Sequence, residues 1–280
     1  MHDGAQPGSV GMSPHTRLRV MSWNVWWRFG PDWRRRERGI LATLKALRPD
    51  LVGLQEVWGA GETTQAEVLG RELGMHPVFG APSLPPPPEH PESADQVGIE
   101  VGVAVLSRWP VAHVQKHALP SREAAPTVAL DVTVAHPSGP MHILAACVDW
   151  ERDLAALHLA QTRALARLIA DPSLDGPLPV ILTADLNAPP DTPQIRALTD
   201  LMVDSWVAAG ADSDAGHTLS STNPWAPREA WQIDHRIDYV MARPGCPQSQ
   251  VNVEQAFLAG DQHGGLHPSD HYAVVADFRT

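Results

Sequence analysis

Asp185 and Asn187 stand two residues apart in ILTADLNAPP (181–190), where an apolar, β-branched run ends and two prolines follow. A carboxylate there can take up a proton or hold a hard cation, and an amide beside it can orient it. The pattern recurs along the chain. LRVMSWNV (18–25) runs into Asn24, DLVGLQEV (50–57) into Glu56, and Asp270 with His271 opens HYAVVADF (271–278). Each group also has a plain structural reading. Asn24 suits a turn, Glu56 an exposed strand end, Asp185 with Asn187 an Asx turn, and Ser269-Asp270-His271 a strand cap. Together they describe polar groups gathered from the edges of separate strands.

The elements that must position them follow from hydrophobic period. Side chains alternate faces along a strand, so Leu18, Val20, Ser22 and Asn24 share one face, and Val52, Leu54 and Glu56 another. GIEVGVAVLS (98–107), TVALDVTV (127–134), MHILAACVDW (141–150), LPVILTADLN (178–187) and RIDYVMAR (236–243) also read as strands. Helices are expected over 32–50, with Ile40, Leu41, Leu44 and Leu47 on one face and Asp32 as N-cap, and over 151–172. In the second, Gln161 interrupts the apolar stripe and is expected to make a buried hydrogen bond. A short helix is expected over 192–200. Many strands with few helices predict an α/β (α+β) fold: a four-layer αββα sandwich of two mostly antiparallel mixed sheets, helices outside. One domain is expected over 17–280, preceded by a disordered tail at 1–16. The proline-rich segment 81–97 reads as a mobile surface loop at the mouth of a site.

Of 280 residues, 43% are hydrophobic, enough for a sizeable core. Acidic residues number 32 against 21 basic, a net charge of −11, and lysine occurs only at 45 and 116. Broad nucleic-acid binding draws on clustered positive charge, so this balance disfavours it. Cys147 and Cys246 make no disulfide framework and no Cys-x-x-Cys zinc pair. The N-terminus lacks the basic and apolar regions of a signal peptide, and no run approaches the roughly 18 apolar residues of a membrane helix. The expectation is a cytoplasmic protein.

The ordered set SWNVWW, LQEVWG, VGVAVLSRWP, ADLNAPPDT, RIDYV and SDHYAVV, over about residues 18 to 278, resembles the endonuclease/exonuclease/phosphatase superfamily, of DNase I-like fold. The resemblance implies a divalent-metal-dependent phosphoesterase. It assigns Glu56, Asn24 and Asp270 to a Mg²⁺ ion, with Mn²⁺ or Ca²⁺ as alternatives. Asp185 would align or deprotonate the attacking water and Asn187 orient it, while His271, held by Asp238, would contact the scissile phosphate. A small-molecule, lipid-headgroup or short-oligonucleotide phosphoester is the expected substrate. A nuclease and a non-catalytic binding module on the same fold are the other readings.

Two positions depart from the family pattern. Where many relatives carry Thr-His-Leu, this chain has Ala146-Cys147-Val148, followed by Asp149. Cys147 is then either a small buried residue or the mark of a one-histidine site, and Asp149 a possible extra acid. Where abasic endonucleases often carry an acid, Trp26 stands beside Trp23 and Trp27, as core or as pocket wall. GHTLSSTNPWA (216–226) resembles a loop of bacterial phosphodiesterase-like members and places Asn223 near substrate.

Overall fold

The computed structural model describes residues 17–279, so the tail expected at 1–16 lies outside the described residues. The chain begins with β1 (Arg17–Asn24), α1 (Trp33–Leu47), β2 (Leu51–Ala60), β3 (Thr63–Thr64), α2 (Gln65–Leu73) and β4 (His76–Gly80). Next come β5 (Glu100–Ser107), β6 (Val111–Ala118), β7 (Val128–His136), β8 (Gly139–Cys147), α3 (Ala155–Ile169) and β9 (Val180–Asp185). α4 (Pro193–Thr199), β10 (Val203–Asp204), α5 (Ser205–Ala208), β11 (Asp238–Arg243), β12 (Asn252–Ala259) and β13 (Ala273–Arg279) complete the fold.

One sheet runs β12–β13–β1–β2–β5–β4, with β3 beside β2, and the other β10–β11–β9–β8–β7–β6. Each has a single parallel pair, β1–β2 in the first and β8–β9 in the second. A parallel pair needs a long crossover, and α1 and α3 supply them. Leu18, Val20, Val103, Val132, Ile143, Ile181, Val240 and Val274 fill the space between the sheets. Met21, Trp23, Val52 and Val275 face the other way, onto Ile40 and Leu44 of α1 and Leu69 of α2. Leu144, Leu182 and Tyr239 do the same for Leu165 of α3 and Ile195 of α4. Two sheets face to face with helices outside are thus the four-layer sandwich that the alternation predicts.

The alternation fails at Glu56, and the failure matters. Val52, Leu54 and Val57 pack toward α1 and α2, so a regular strand would send Glu56 there as well. A register shift between Leu54 and Val57 inserts an extra residue, and Glu56 takes φ 53°. This β-bulge re-aims the carboxylate from the helix side to the edge between the sheets. Upstream, Gly53 allows the sheets to meet: a Cβ there would lie 1.8 Å from Thr183 Oγ1 of β9. We therefore expect Gly53→Ala to lower stability by about 1–3 kcal/mol through overpacking. It should also weaken the site, because the bulge follows three residues on. Thermal unfolding with and without Mg²⁺ checks both effects, and an unchanged melting temperature would remove this role from Gly53.

Other expectations are refined locally. Asp32 occupies the N-cap of α1 at φ 55°, but its side chain caps nothing, and its backbone carbonyl accepts from Arg35 and Arg36 instead. Segment 81–97, expected as a mobile loop, is anchored at both ends. Ser83 N donates to Val101 O at 2.9 Å and Gln96 Nε2 to Arg28 O at 2.8 Å, while Leu84 is fully buried. Among the described residues no helix is long and apolar enough to cross a membrane.

Candidate active site

The inner faces of the central strands end in polar residues at one edge of the sandwich. In the second sheet, Asp185 pairs with Cys147 on one side and Asp238 on the other, so three strands bring these side chains into one row. Asn24 closes the inner face of β1, and the bulge brings Glu56 beside it. The Asn24 amide nitrogen donates to Glu56 Oε1 at 2.8 Å and to Asp185 Oδ2 at 2.9 Å, tying the two sheets together. Its oxygen is taken by the Trp26 backbone N–H at 2.9 Å. In this geometry Asn24 offers the two carboxylates its amide donors and turns its oxygen to the backbone of Trp26.

Asp185 answers both readings of its sequence at once. Oδ1 accepts from Asn187 N at 3.0 Å, which is the Asx turn, while Oδ2 meets Asn24. Asn187, at φ 47°, donates through Nδ2 to Val148 O at 3.0 Å. Tyr239 and His158 brace this turn from behind, Tyr239 Oη donating to Ala188 O at 2.7 Å and His158 Nε2 lying 2.8 Å from Leu186 O.

His271 Nδ1 lies 2.9 Å from Asp238 Oδ2, the expected pair, buried on both sides. Thr218 fixes the partner: its hydroxyl accepts from Ile237 N at 3.0 Å and Asp238 N at 3.1 Å. Ser269 Oγ donates to Asn24 O at 2.7 Å, so the Ser-Asp-His turn is stitched to the end of β1.

The charges are strongly coupled. Burial raises the Glu56 pKa to about 8, and the nearby charges of Asp270 and Asp185 add to it. Burial likewise raises Asp185 to about 7, helped by Asp238, and also lifts Asp270. For His271 burial works downward, but the charges of Asp238 and Asp270 outweigh it and hold the imidazole well above its usual range. It is therefore a cation at neutral pH. Arg36 of α1, 1% exposed, sits behind the carboxylates and keeps its charge although burial lowers its pKa to about 10. Its guanidinium donates to the carbonyls of Val25, Trp26, Trp27, Phe29 and Pro268, fixing the loop after Asn24 against the approach to Asp270. Helical periodicity gives no signal for such an arginine.

Glu56, Asp185, Asn187, Asp270 and His271 line one cavity of about 150 Å³, with Cys147 in its wall. The Cys147 thiol is buried and pushed well up in pKa by desolvation, so it stays neutral. Asp149 is not in this wall. β8 has ended at Cys147, alternation no longer applies, and the Asp149 carboxylate turns to Gln161 Nε2 at 2.9 Å and Arg122 at 3.3 Å. Gln161 also accepts from Asp149 N at 2.8 Å, the buried hydrogen bond its place in the stripe predicts. Asn223 is equally occupied: Nδ2 donates to Ser269 O at 2.9 Å and Oδ1 accepts from Trp225 N at 3.1 Å. It braces the Ser-Asp-His turn. Trp26 is half-buried between the Arg36 guanidinium, 4.5 Å from its ring, and Trp225 at 6.0 Å, outside the cavity lining. Trp23 and Trp27 are core. A larger groove of about 680 Å³ lies at the opposite ends of β1 and β2, where Arg19, Lys45 and Arg108 pair with Asp277, Glu72 and Asp50.

Among the described residues, one group offers three close metal-ligating atoms: those of Asp185, Asp238 and His271, within 4.8 Å of one another. Within that trio His271 Nδ1 and Asp238 Oδ2 already face each other at 2.9 Å. Glu56 and Asp270, whose charges repel each other, are further hard oxygen donors in the same cavity and suit a cation.

A sandwich of two mixed sheets with carboxylates, an amide bridge and an aspartate–histidine pair at one edge defines the DNase I-like class of protein. The model of the endonuclease/exonuclease/phosphatase family matches residues 21–271, and the chain belongs to that family. Its members are in general divalent-metal phosphoesterases or nucleases. An endonuclease/exonuclease/phosphatase protein from Beutenbergia cavernae DSM 12333 is 26% identical, with a TM-score of 0.72 over 94% of this chain and 71% of that one. TDP2 from D. rerio, complexed with single-strand DNA product, gives 0.74 at 17% identity over 95% and 100%. The human Nocturnin catalytic domain with bound sulfate anion gives 0.69 at 21% over 94% of each chain. A search of curated proteins finds no match.

Proposed function

We propose that this chain is a divalent-metal-dependent phosphoesterase that hydrolyses a small phosphoester by attack of water activated at Asp185. What carries the reading is one juxtaposition: Asn24 bridges Glu56 and Asp185 on one side of a cavity whose other side is the Asp238–His271 pair. Glu56 and Asp270 would hold the cation, Mg²⁺ first, with Mn²⁺ or Ca²⁺ suited to the same oxygens. Bound there, the cation supplies neutralisation of phosphate charge and of the leaving oxygen.

The remaining roles belong to the chain itself. Asp185, raised toward neutrality by burial, takes the proton of the attacking water. The Asx turn and Asn24 fix both of its oxygens, so the base is aimed before substrate arrives. Asn187 orients the same water from the free side of its amide. His271 presents Nε2 as a charged donor to a non-bridging phosphate oxygen, with Asp238 holding the ring through Nδ1.

A nuclease is the second reading, and the D. rerio TDP2 complex with single-strand DNA product motivates it. The net charge of −11 weighs against it. A panel of bis(4-nitrophenyl) phosphate, a phosphomonoester, sphingomyelin and plasmid DNA, each with Mg²⁺ and with chelator, tests the proposal. Chelator-sensitive hydrolysis of a small ester is expected. Turnover that survives metal removal overturns the mechanism, and silence on every substrate favours a binding module.

A further inference from the structure

The wall of the catalytic cavity departs from its floor in chemistry. Pro85, Trp150, Leu219, Pro227 and Ala230 form it, with Gln232 the polar member, and neither lysine nor arginine reaches the lining. The arginines around the rim are already engaged. Arg122 pairs with Asp149 and Glu151, Arg152 lies over the Trp231 ring at 5.6 Å, and Arg228 bonds Ser221 O. A polyanionic strand needs a cation or a backbone donor for each successive phosphate, and this wall presents no such series.

The wall is also built in advance. Trp231 Nε1 and Gln232 Nε2 donate to the Trp150 carbonyl at 2.9 and 3.1 Å, locking the 227–232 segment to the chain after β8. Gln232 is 4% exposed, whereas the Trp150 side chain is half-buried, packed on the inter-sheet core and facing the cavity. The proline-rich segment adds Pro85 to the lining and is held in place by Ser83 and Leu84. A tryptophan lining the same cavity as two prolines, a leucine and an alanine gives it an apolar wall suited to a flat apolar group, and ordering that wall in advance removes the entropy cost of forming it on binding.

Resting on the phosphoesterase reading, we infer that the substrate carries one phosphoester next to an uncharged, flat apolar group, and that Trp150 is the residue that selects it. The test is equilibrium binding to the Mg²⁺-loaded protein of two phosphonates that cannot be hydrolysed, phenylphosphonate and methylphosphonate, with an oligothymidylate as the third ligand. Wild type should bind phenylphosphonate about tenfold more tightly than methylphosphonate, equal to about 1.4 kcal/mol. Trp150→Ala should reduce that ratio to below about threefold and Trp150→Phe should restore most of it, the fold-change being what loss of one stacking face predicts. Ala230→Phe, which adds a bulky ring to the same lining, should abolish the preference even if Trp150→Ala fails to fold.

A ratio that stays at its wild-type value in both Trp150→Ala and Ala230→Phe overturns the assignment, as does an oligothymidylate bound more tightly than phenylphosphonate. Binding is read without turnover. A protein that discriminates between the phosphonates yet hydrolyses nothing therefore refutes the catalytic proposal alone, and an active enzyme indifferent to the phenyl group refutes this one alone.

Discussion

Asp185→Asn is expected to lower kcat on the productive phosphoester by about 10²–10⁴-fold at saturating Mg²⁺, the range that a positioned general base contributes. The substitution keeps the size of the side chain and its acceptor for Asn187 N. It replaces the oxygen facing Asn24 with an NH₂ group, so two donors then oppose each other where a 2.9 Å hydrogen bond stood. The sheets lose one tie but no packing, and the variant should unfold cooperatively within a few degrees of wild type. A steady-state assay beside a thermal melt separates the two effects. Activity within tenfold of wild type would remove Asp185 from the role of base. A fall in kcat matched by loss of the folded state would make it a structural residue.

Glu56→Gln should move activity and stability in opposite directions. The folded protein holds this carboxyl protonated up to about pH 8, while the free side chain ionises at 4.5. Between those values the folded state keeps a proton that the unfolded state has released, so stability without metal falls as pH rises through that window. Glutamine cannot ionise and escapes the penalty. At pH 8 without metal the variant should be more stable than wild type, by an amount on the order of a few kcal/mol. Mg²⁺ should reverse the ranking, because it replaces the proton on Glu56 and has little to bind in the variant. Melting curves at pH 5.5 and 8, with Mg²⁺ and with chelator, give four comparisons. The wild-type gain from Mg²⁺ should be largest at pH 8. If Glu56→Gln responds to Mg²⁺ as wild type does, Glu56 is not a holder of the cation.

How much was legible in the sequence depends on whether local periodicity or long-range packing decides the element. β1, β5, β7, β8, β9, β11 and β13 are buried on both faces or alternate cleanly, and hydrophobic pattern finds them. β6, VAHVQKHA, is an edge strand exposed along most of its length, and β12, NVEQAFLA, is another edge, so neither carries a buried-strand signature. α2 is short and holds Gly70, yet its capping box of Thr64 and Glu67 was readable in TTQAE.

In the site, Asp185, Asn187, Asp238 and His271 stand at the ends of strands whose order in the chain the motifs announce. Period-two alternation singles out Glu56 by its type but puts it on the wrong face, because a bulge with a positive φ leaves no mark on that pattern. Asp149 and Asn223, expected toward the substrate, bond instead to partners distant in sequence, Gln161 and Ser269. Those partners are tertiary facts. Thr218 and Trp150 carry no signal in the sequence, and only the fold sets one against Asp238 and the other against the cavity.

Arg36 carries a consequence for how such a site can vary. Every acceptor it grips on the loop from Val25 to Phe29 is a main-chain carbonyl, and so is its acceptor at Pro268. Those hydrogen bonds are therefore blind to side-chain identity, and only the stacking of the guanidinium on the Trp26 ring reads a side chain. A change at Trp26 or Phe29, which are only partly buried, costs local packing but leaves intact the main-chain bonds that deliver Asn24 and Asp270. Mutational tolerance and geometric constancy thus coexist in one loop, and a lineage can rework the rim of this cavity without rebuilding its floor.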